Sequence, residues 1–412
     1  MRAWFISEQP YPQAWDADPV TLRVTLPSKH FDPKIGADLL NRYYDEYMAA
    51  DELGWDIMLN EHHSTATCLS VSCLNNLSIL ARITKKARLL TLGIPICHRP
   101  DPVRIAEELA YADVLSRGRT EIGFIKGIAY EISAQNSNPV DLMSRFWEAH
   151  DLILKALTTH DGPFNWEGQH FHHRQVNIWP RPYQQPRPNV WISAGNAATA
   201  IPVAECGHTI ATVFSRDNAK KMFEAYRKRT AELGRPEPNL DRFGYLAMLA
   251  IGRTRAEGFA KLAKVKGYLE SASIVNPAFQ NPPGLFPPEA NAAALQRPSG
   301  ARIAQDHLIV KKTDGTPINT STASMEDLVD AGLAYAGTPD DVFQQIKRMY
   351  DHVGGFGHLI ALAHGGTLSH EDTVDNLDLF SREVMPRLRE LRPPQGQSFD
   401  ARGVIRENAL SA

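Results

Sequence analysis

Short apolar runs alternate with longer stretches in which apolar residues recur every three or four positions, and this alternation continues along most of the chain. The short runs predict buried strands and the longer stretches predict amphipathic helices. The predicted strands cover residues 3–7, 56–60, 89–96, 121–126, 190–194, 209–213, 243–251 and 358–363. The predicted helices cover residues 37–53, 72–86, 102–115, 139–157, 197–206, 218–233, 255–269, 339–350 and 373–391.

Eight strands that alternate with helices favour an α/β fold, a closed (β/α)8 TIM barrel. The competing fold is a doubly wound open sheet, but no Gly-x-Gly-x-x-Gly turn follows the first predicted strand. We therefore predict a single barrel domain over residues 1–392 and a C-terminal tail over 393–412.

Two segments exceed what a barrel requires. Residues 160–188 are rich in aromatic residues, histidine and proline, and residues 271–337 are rich in proline, asparagine and alanine with little periodicity. The second segment follows the seventh strand–helix unit. A long irregular insertion is usually either a functional lid or partly disordered, and we favour a lid over 271–337.

Composition narrows the possible partners. The net charge of −3 gives no attraction to a polyanion, so we expect no nucleic-acid binding. No apolar run reaches the roughly 18 residues of a membrane span, and Glu8 interrupts the N-terminus too early for a signal-peptide core. Four cysteines without metal-site or redox spacing fit a cytoplasmic protein with free thiols.

The most informative stretch is the strand end Asn60-Glu61-His62-His63. Barrel enzymes place their chemistry at such strand ends, and histidine exchanges protons near neutral pH. Because side chains alternate along a strand, we expect one functional and one structural histidine. Two other interpretations remain at this point: hydrogen-bonded structural histidines, and a metal site that His98 completes.

Two further strand ends suggest an anion site. Lys126 precedes Gly127 at the end of the fourth strand, where a cation has open access to a phosphate. A solvated lysine is an equally simple interpretation. The turn from Ser193 to Thr199 leads a strand into a helix, whose first N–H groups attract anions, and Asn196 and Thr199 add possible side-chain donors.

Taken together, these stretches resemble the bacterial luciferase-like flavin monooxygenases. The resemblance covers roughly residues 1–270 and 330–390. The stretches that carry it, in chain order, are Glu-His-His at 61–63, Asp-Pro-Val-Arg-Ile-Ala-Glu-Glu at 101–108, Asp-Val-Leu-Ser-Arg-Gly-Arg at 113–119, Gly-Phe-Ile-Lys-Gly at 123–127, Phe-Asn-Trp-Glu-Gly-Gln-His-Phe at 164–171, Pro-Arg-Pro-Tyr-Gln-Gln-Pro-Arg-Pro at 180–188, Val-Trp-Ile-Ser-Ala-Gly at 190–195 and Ala-Gly-Thr-Pro-Asp-Asp-Val at 336–342.

The resemblance implies a (β/α)8 barrel that uses reduced FMN and O2 to oxygenate a small organic substrate through a flavin C4a-(hydro)peroxide. It implies a separate NAD(P)H:flavin reductase and a homodimer or homotetramer. His62 matches the catalytic histidine of the family. Lysine at 126 stands where luciferase has arginine, and Gly195-Asn196 replace a Glu-Ser pair. The implied cofactor contacts are Glu61, Lys126, Ser193, Gly195, Asn196 and Thr199, and the expected substrate or lid residues are His63, His98, Trp166 and Phe286.

Three other functions compete with this one. A deazaflavin-dependent oxidoreductase has the same fold by resemblance and needs no oxygen. A metal-dependent hydrolase would use His62, His63 and His98, although we expect no metal. A non-catalytic flavin-binding protein would bind FMN without turnover.

Overall fold

The strands of the computed structural model, which describes residues 1–285, 288, 310–320 and 322–391, run parallel apart from two hairpins. The tail 393–412 and residue 286 are among those outside the described residues. The strands are β1 (Arg2–Ile6), β2 (Asp56–Met58), β3 (Leu89–Leu90), β4 (Ile94–Pro95), β5 (Thr120–Ile125), β6 (Phe164–Glu167), β7 (His172–Val176), β8 (Val190–Ser193), β9 (Thr209–Val213), β10 (Phe243–Ile251), β11 (Val310–Lys311), β12 (Pro317–Ile318), β13 (Ala334–Gly337) and β14 (His358–Leu362).

The sheet closes on itself. Strand β1 pairs with β2 on one side and with β14 on the other, and the ladder continues through β3, β5, β8, β9 and β10 back to β14. Strands β3 and β4 together occupy one of the eight positions, because both pair with β5. The predicted closed barrel is confirmed.

One predicted strand is divided in two. Residues 89–96 form β3 and β4, with a bend at Leu92 and Gly93 between them. Across the bend, a side chain at Gly123 would meet the Leu92 backbone only 2.6 Å away. The close approach of the two strands therefore requires glycine at position 123.

The end of the insertion is more regular than the sequence indicates. Strand β13 lies beside the second half of β10, with Met248 opposite Ala334 and Ile251 opposite Gly337. The prediction of an irregular segment over all of 271–337 is therefore wrong for its last part. A four-residue strand of alanine, tyrosine and glycine is too short and too small to give a clear periodic signal.

The helices begin where the sequence supplies capping side chains. The Asp101 carboxylate accepts from the Arg104 N–H, with Pro102 in the first turn as predicted, and Thr338 and Asp341 form a capping box. Arg117 takes a left-handed conformation where the helix before Gly118 ends. The helices are α1 (Pro33–Glu52), α2 (Cys73–Ile83), α3 (Pro102–Ser116), α4 (Ala129–Ala134), α5 (Leu142–Thr158), α6 (Ala197–Glu205), α7 (Arg216–Glu232), α8 (Arg255–Ala272), α9 (Pro277–Gln280), α10 (Met325–Asp330), α11 (Pro339–His352), α12 (His370–Glu383) and α13 (Met385–Arg389).

The core has two layers that follow the alternation of side chains in each strand. In β1, Ala3 and Phe5 belong to the layer between barrel and helices, whereas Trp4 and Ile6 belong to the layer inside the barrel. All four side chains are buried. Because the interior is packed in this way, it is not a pore, and ligands have access only at the ends.

The loops that follow the strands gather at one end of the barrel, the carboxyl-terminal end. The backbone N–H of Leu22, in the long β1–α1 loop, donates to the carbonyl of Ile274 at the start of the insertion. A side chain at Gly284 would meet Val140 2.9 Å away, in the loop that precedes α5. The beginning of the insertion therefore lies over this end of the barrel. No helix in the described part of the chain is long and apolar enough to cross a membrane.

Candidate active site

The central feature of the carboxyl-terminal end is a carboxylate shared by two histidines. His62 Nδ1 lies 2.9 Å from Glu131 Oε1, and His63 Nδ1 lies 3.3 Å from Glu131 Oε2. Strand β2 ends at Met58, so regular alternation stops before these residues and both rings turn to the same partner. The expectation that the two histidines lie on opposite faces is wrong for this reason.

The Glu131 contacts fix the orientation of His62. An ionised carboxylate only accepts hydrogen bonds, so neutral His62 donates from Nδ1 and leaves the Nε2 lone pair free. His62 Nε2 lies 3.9 Å from Glu8 Oε2, beyond hydrogen-bond distance. The His62 side chain is 16% exposed, and a ligand at the mouth of the barrel therefore has access to Nε2.

Electrostatics keep Glu131 ionised. Burial by itself would raise the pKa of Glu131, but hydrogen bonds from His62 and His63 hold that pKa well below its usual range. Glu131 is thus an anion throughout the physiological range. It stabilises either histidine when the ring carries a positive charge.

His63 occupies a more structural position than His62. Its Nε2 lies 3.5 Å from Glu61 Oε1 and its Nδ1 faces Glu131, so the ring bridges two carboxylates. Glu61 is buried, accepts from the Cys73 backbone N–H at 2.9 Å and pairs with Arg99 Nη2 at 2.6 Å. Burial raises the pKa of Glu61 despite the opposing effect of Arg99.

A second strand end contributes Glu8, which follows β1. Its carboxylate accepts a hydrogen bond from Asn60 Nδ2 and faces the Nε2 edge of His62. The Tyr130 ring lies 6.2 Å from the His62 ring on another side. The free edge of His62 is therefore bordered by an acidic group and an aromatic ring.

The predicted phosphate residues follow the neighbouring strands β5 and β8. The paired register ends at Phe124 opposite Ile192, and two residues further along each strand are Lys126 and Ala194. The Lys126 side chain is exposed, and its ammonium has no carboxylate within ion-pair distance among the described residues. The predicted lysine and the predicted turn therefore follow two adjacent strands of the barrel at the same end.

The turn itself is arranged around the start of α6. Asn196 caps the helix: its Oδ1 accepts from the Thr199 N–H at 3.1 Å, and Thr199 Oγ1 donates to the Asn196 carbonyl at 2.7 Å. Both side chains thus serve the cap, which leaves the N–H groups of Ala197 and Ala198 without partners inside the helix. Ser193, at the end of β8, is half-buried.

This donor set fits a phosphate group. It combines a lysine cation with the N–H groups of a helix N-terminus. A side chain at Gly195 would meet nothing within 4 Å, so the space before the helix is open. The Asn218 amide donates to the Gly195 carbonyl at 2.9 Å and holds the turn in place.

His98 does not join the histidines of β2. Its Nδ1 lies 2.7 Å from Ser137 Oγ and its Nε2 lies 3.0 Å from the Lys126 carbonyl. Burial lowers the pKa of His98. His98 therefore ties the backbone after β5 to the loop before α5, and its predicted role in contacting substrate is corrected to this positioning role.

Trp166 lies elsewhere than the sequence indicates. It belongs to the β6–β7 hairpin, which connects α5 to β8 and packs along α5, with His170 Nε2 2.8 Å from Ser144 Oγ and the Phe171 ring beside the Arg145 guanidinium. Its indole N–H donates to Glu148 at 3.1 Å. The prediction that Trp166 lines the substrate cavity is wrong, because the indole packs against helix α5 and the layer between barrel and helices, and the aromatic content of a segment does not reveal what it packs against. Phe286 is outside the described residues.

Within the described residues, three possible metal ligands converge at His150, Cys206 and His208 alone. The two histidine Nε2 atoms lie 2.8 Å apart, a hydrogen-bond distance. His208 precedes β9, so this group is at the opposite end of the barrel from His62. The histidines proposed for a hydrolase do not form such a set.

Four contributors to the site were missed in the sequence: Glu8, Glu131, Tyr130 and Arg99. Each follows a strand by only a few residues, and Tyr130-Glu131 come soon after the Lys126-Gly127 strand end. Their position just past strand ends was the available signal. Their contacts with His62 and Glu61 depend on loop packing, which no local pattern reports.

Comparisons with known proteins identify the family and the fold. The model of the luciferase-like monooxygenase family matches residues 27–355. The chain is 26% identical over 330 residues to the uncharacterised protein y4wF of Sinorhizobium fredii, covering 76% of this chain and 91% of that protein. It is 24% identical to limonene 1,2-monooxygenase of Rhodococcus erythropolis, and the match covers 82% of this chain and 78% of that protein. It is 29% identical to the oxygenase component of flavin-dependent trigonelline monooxygenase of Acinetobacter baylyi, covering 34% and 38%.

Solved structures share the fold. The oxygenating constituent of 3,6-diketocamphane monooxygenase from Pseudomonas putida, in complex with FMN, superposes with a TM-score of 0.70 at 18% identity, covering 96% of this chain and 99% of that chain. Monooxygenase RslO1 from Streptomyces bottropensis superposes with a TM-score of 0.69 at 20% identity, covering 94% of this chain and 100% of that chain. An F420-dependent secondary alcohol dehydrogenase superposes with a TM-score of 0.60 at 14% identity, covering 84% of this chain and 94% of that chain.

Proposed function

We propose that this chain, which belongs to the luciferase-like monooxygenase family, is an oxygenase that uses reduced FMN and O2 to oxygenate a small organic substrate. The observation that carries the proposal is the arrangement of two strand-end sites on one end of the barrel. One presents the free Nε2 of His62, held by Glu131, and the other presents Lys126 beside the α6 N-terminus. A flavin mononucleotide needs both a phosphate site and a polar site for its ring.

Each group has a defined task in this proposal. Lys126 and the first N–H groups of α6 bind the phosphate, and Gly195 leaves room for it. When bound, reduced FMN supplies the electrons with which oxygen is activated. His62 gives or takes a proton at Nε2, and Glu131 holds Nδ1 and stabilises the charged ring. Glu61 stabilises this arrangement through His63 and Arg99.

Water exclusion falls to the loops over the mouth of the barrel. The β1–α1 loop and the beginning of the insertion are joined through Leu22 and Ile274 at 2.9 Å. Oxygenation chemistry at a flavin is lost when water reaches the site. We therefore propose that residues 271–285, together with the 8–32 loop, form the part of the lid that the structure describes.

The flavin has two candidates, FMN and F420. Two fold neighbours are F420-dependent, so a deazaflavin oxidoreductase is the second candidate. FMN is favoured because the structure named as an FMN complex superposes more closely than the F420-dependent dehydrogenase, with a TM-score of 0.70 against 0.60.

The proposed partners follow from the same chemistry. The similar trigonelline monooxygenase chain is the oxygenase component of its enzyme. We propose that a separate NAD(P)H:flavin reductase supplies reduced FMN to the present chain. We place the protein in the cytoplasm, since its four cysteines are all free. We further propose a homodimer or a higher symmetric assembly, because large aromatic side chains are exposed on the outer surface.

Anaerobic titration tests the proposal. The protein is mixed with reduced FMN or with reduced F420, and oxygen is then admitted while its uptake is followed. We expect binding of reduced FMN and oxygen uptake with a time course different from that of free reduced FMN, which also reacts with oxygen. Exclusive binding of F420 without oxygen uptake would support the deazaflavin oxidoreductase instead.

A further inference from the structure

A buried arginine in the mouth of the barrel has no role in the function described so far. Arg23 lies on the β1–α1 loop, where its backbone forms an isolated antiparallel bridge with Thr65. The neighbouring Leu22 binds to Ile274. Arg23 is therefore fixed between the loop after β2 and the beginning of the insertion.

The Arg23 guanidinium is buried but unsatisfied. Arg23 is 3% exposed, and its Nε and Nη1 atoms have no hydrogen-bond partner in the described part of the chain. By contrast, Arg119, which is half-buried, donates from its Nε, Nη1 and Nη2 atoms to backbone carbonyls and to the Thr84 hydroxyl. A buried charge without hydrogen bonds is unfavourable unless a partner arrives.

The surroundings of Arg23 place it next to the proposed reaction centre. Its guanidinium stacks 4.4 Å above the Tyr130 ring, whose other neighbour is His62 at 6.2 Å between ring centres. The nearby carboxylates of Glu8 and Glu131 attract Arg23. Both are engaged with other groups, Glu8 with Asn60 and Glu131 with the two histidines.

We propose that Arg23 binds a carboxylate group of the substrate. The inference rests on the proposed function and narrows the substrate to small organic acids. A guanidinium presents two parallel N–H donors that match the two oxygens of a carboxylate, and the Tyr130 ring holds the plane of the guanidinium. A substrate anchored at Arg23 would extend past Tyr130 and present its other end to His62.

The competing explanation is that Arg23 only balances the charge of Glu8 and Glu131. In that case, replacing Arg23 lowers the stability of the protein, and neither the wild type nor the variant prefers carboxylates to amides. A carboxylate site instead distinguishes a carboxylate from the amide of the same shape, because the amide lacks the charge and one acceptor.

Calorimetry on the FMN-loaded protein separates the two explanations. The probes are acetate, benzoate and octanoate, each paired with acetamide, benzamide or octanamide, so that three sizes are covered. We expect at least one carboxylate to bind about tenfold or more tightly than its amide. Arg23→Gln should remove that preference, and Arg104→Gln, on the exposed surface of α3, should leave it unchanged.

Two results would overturn the assignment: no carboxylate preferred by the wild-type protein, or a preference that survives Arg23→Gln. If Arg23→Gln does not fold, Arg23→Lys decides, because lysine keeps the charge but lacks the fork; a preference equal to that of the wild type would then contradict the proposal. Affinity for reduced FMN is measured separately. If the wild-type protein does not bind reduced FMN, the proposed function is wrong. If it binds reduced FMN but prefers no carboxylate, only the proposed role of Arg23 is wrong.

Discussion

Glu131 follows His62 by 69 residues in the chain, yet its Oε1 atom lies 2.9 Å from His62 Nδ1. The same carboxylate reaches His63. This single contact determines which nitrogen of His62 carries the proton and which faces the mouth of the barrel. It also brings the ends of β2 and β5 into one reactive unit.

Replacing Glu131 tests that unit. In Glu131→Gln the amide can donate to Nδ1, which favours the other tautomer and turns the free lone pair away from the ligand. We expect the Nδ1-protonated form of His62 to be lost in histidine nitrogen NMR spectra. We also expect the reaction of the reduced-FMN complex with oxygen to change by about tenfold or more. Glu107→Gln, a partly exposed carboxylate on α3, is the control, and the same change in both variants would contradict the role of Glu131.

The phosphate site gives a prediction that needs no substrate. Lys126→Ala should weaken FMN binding by about tenfold or more and leave riboflavin, which has no phosphate, almost unaffected. The difference between the two flavins should also shrink as salt is added. Fluorescence titration measures both affinities.

Lys34→Ala, at an exposed position on α1, is the matched control for Lys126→Ala. Equal losses of FMN and riboflavin affinity in Lys126→Ala would show that the lysine stabilises the loop and does not bind phosphate.

A third prediction concerns the dependence of stability on pH. Glu46 is fully buried, with Arg42 Nε at 2.8 Å and His364 Nε2 at 3.5 Å. Burial raises the pKa of Glu46 to about 7, so the folded state favours the protonated acid. As the pH rises, Glu46 ionises in the unfolded chain before it ionises in the folded protein. The contribution of protonated Glu46 to the free energy of unfolding is therefore full below about pH 4.5 and is lost as the pH approaches 7.

Chemical denaturation of Glu46→Gln at a series of pH values checks this contribution. Relative to the variant, the free energy of unfolding of the wild type should fall by roughly 3 kcal/mol as the pH rises from the unfolded pKa of Glu46 to its folded pKa. Above the folded pKa it should fall no further. Burial also lowers the pKa of His364, to about 3, but His364 is present in both proteins and its contribution cancels to first order. A constant difference across the range would show that Glu46 is ionised in the folded state.

The outer surface supports a prediction about assembly. Trp179 is 81% exposed and Tyr111 is 55% exposed, and both line a groove next to α2 and α3. Exposed aromatic side chains of this size mark interaction surfaces. Trp179→Asp should shift a homodimer toward monomer in analytical ultracentrifugation. Trp166→Phe, a change away from that groove, should have no effect, and an unchanged dimer in Trp179→Asp would place the interface elsewhere.

The barrel was predictable because its signals are local. Buried strands such as Phe243–Ile251 appear as continuous apolar runs, and caps such as Asp101-Pro102 mark where helices begin. The strand Ala334–Gly337 was missed because its pairing with β10 is decided by tertiary contacts. A six-residue helix, Met325–Asp330, was too short for periodicity to detect.

The site was only partly predictable. Lys126 directly follows β5 and His62 lies in the short segment after β2, so the barrel topology alone places both at the mouth. Glu131, on the short helix α4, and Arg23, on the β1–α1 loop, reach the same mouth through segments whose course depends on the whole fold. The position of Trp166 was not predictable, because the aromatic content of its segment does not indicate that the hairpin packs against helix α5.

The reaction of the reduced-FMN complex with oxygen tests the central proposal most directly. The protein is loaded with reduced FMN without oxygen and mixed with oxygenated buffer in a stopped-flow instrument, and the return of oxidised FMN is followed for the wild type and His62→Ala. We expect the wild type to give flavin kinetics clearly different from those of free reduced FMN, and His62→Ala to lose that difference while still binding FMN. Reoxidation of the wild-type complex at the rate of free FMN, or identical kinetics in both proteins, would contradict the proposal that His62 directs oxygen chemistry at a bound flavin.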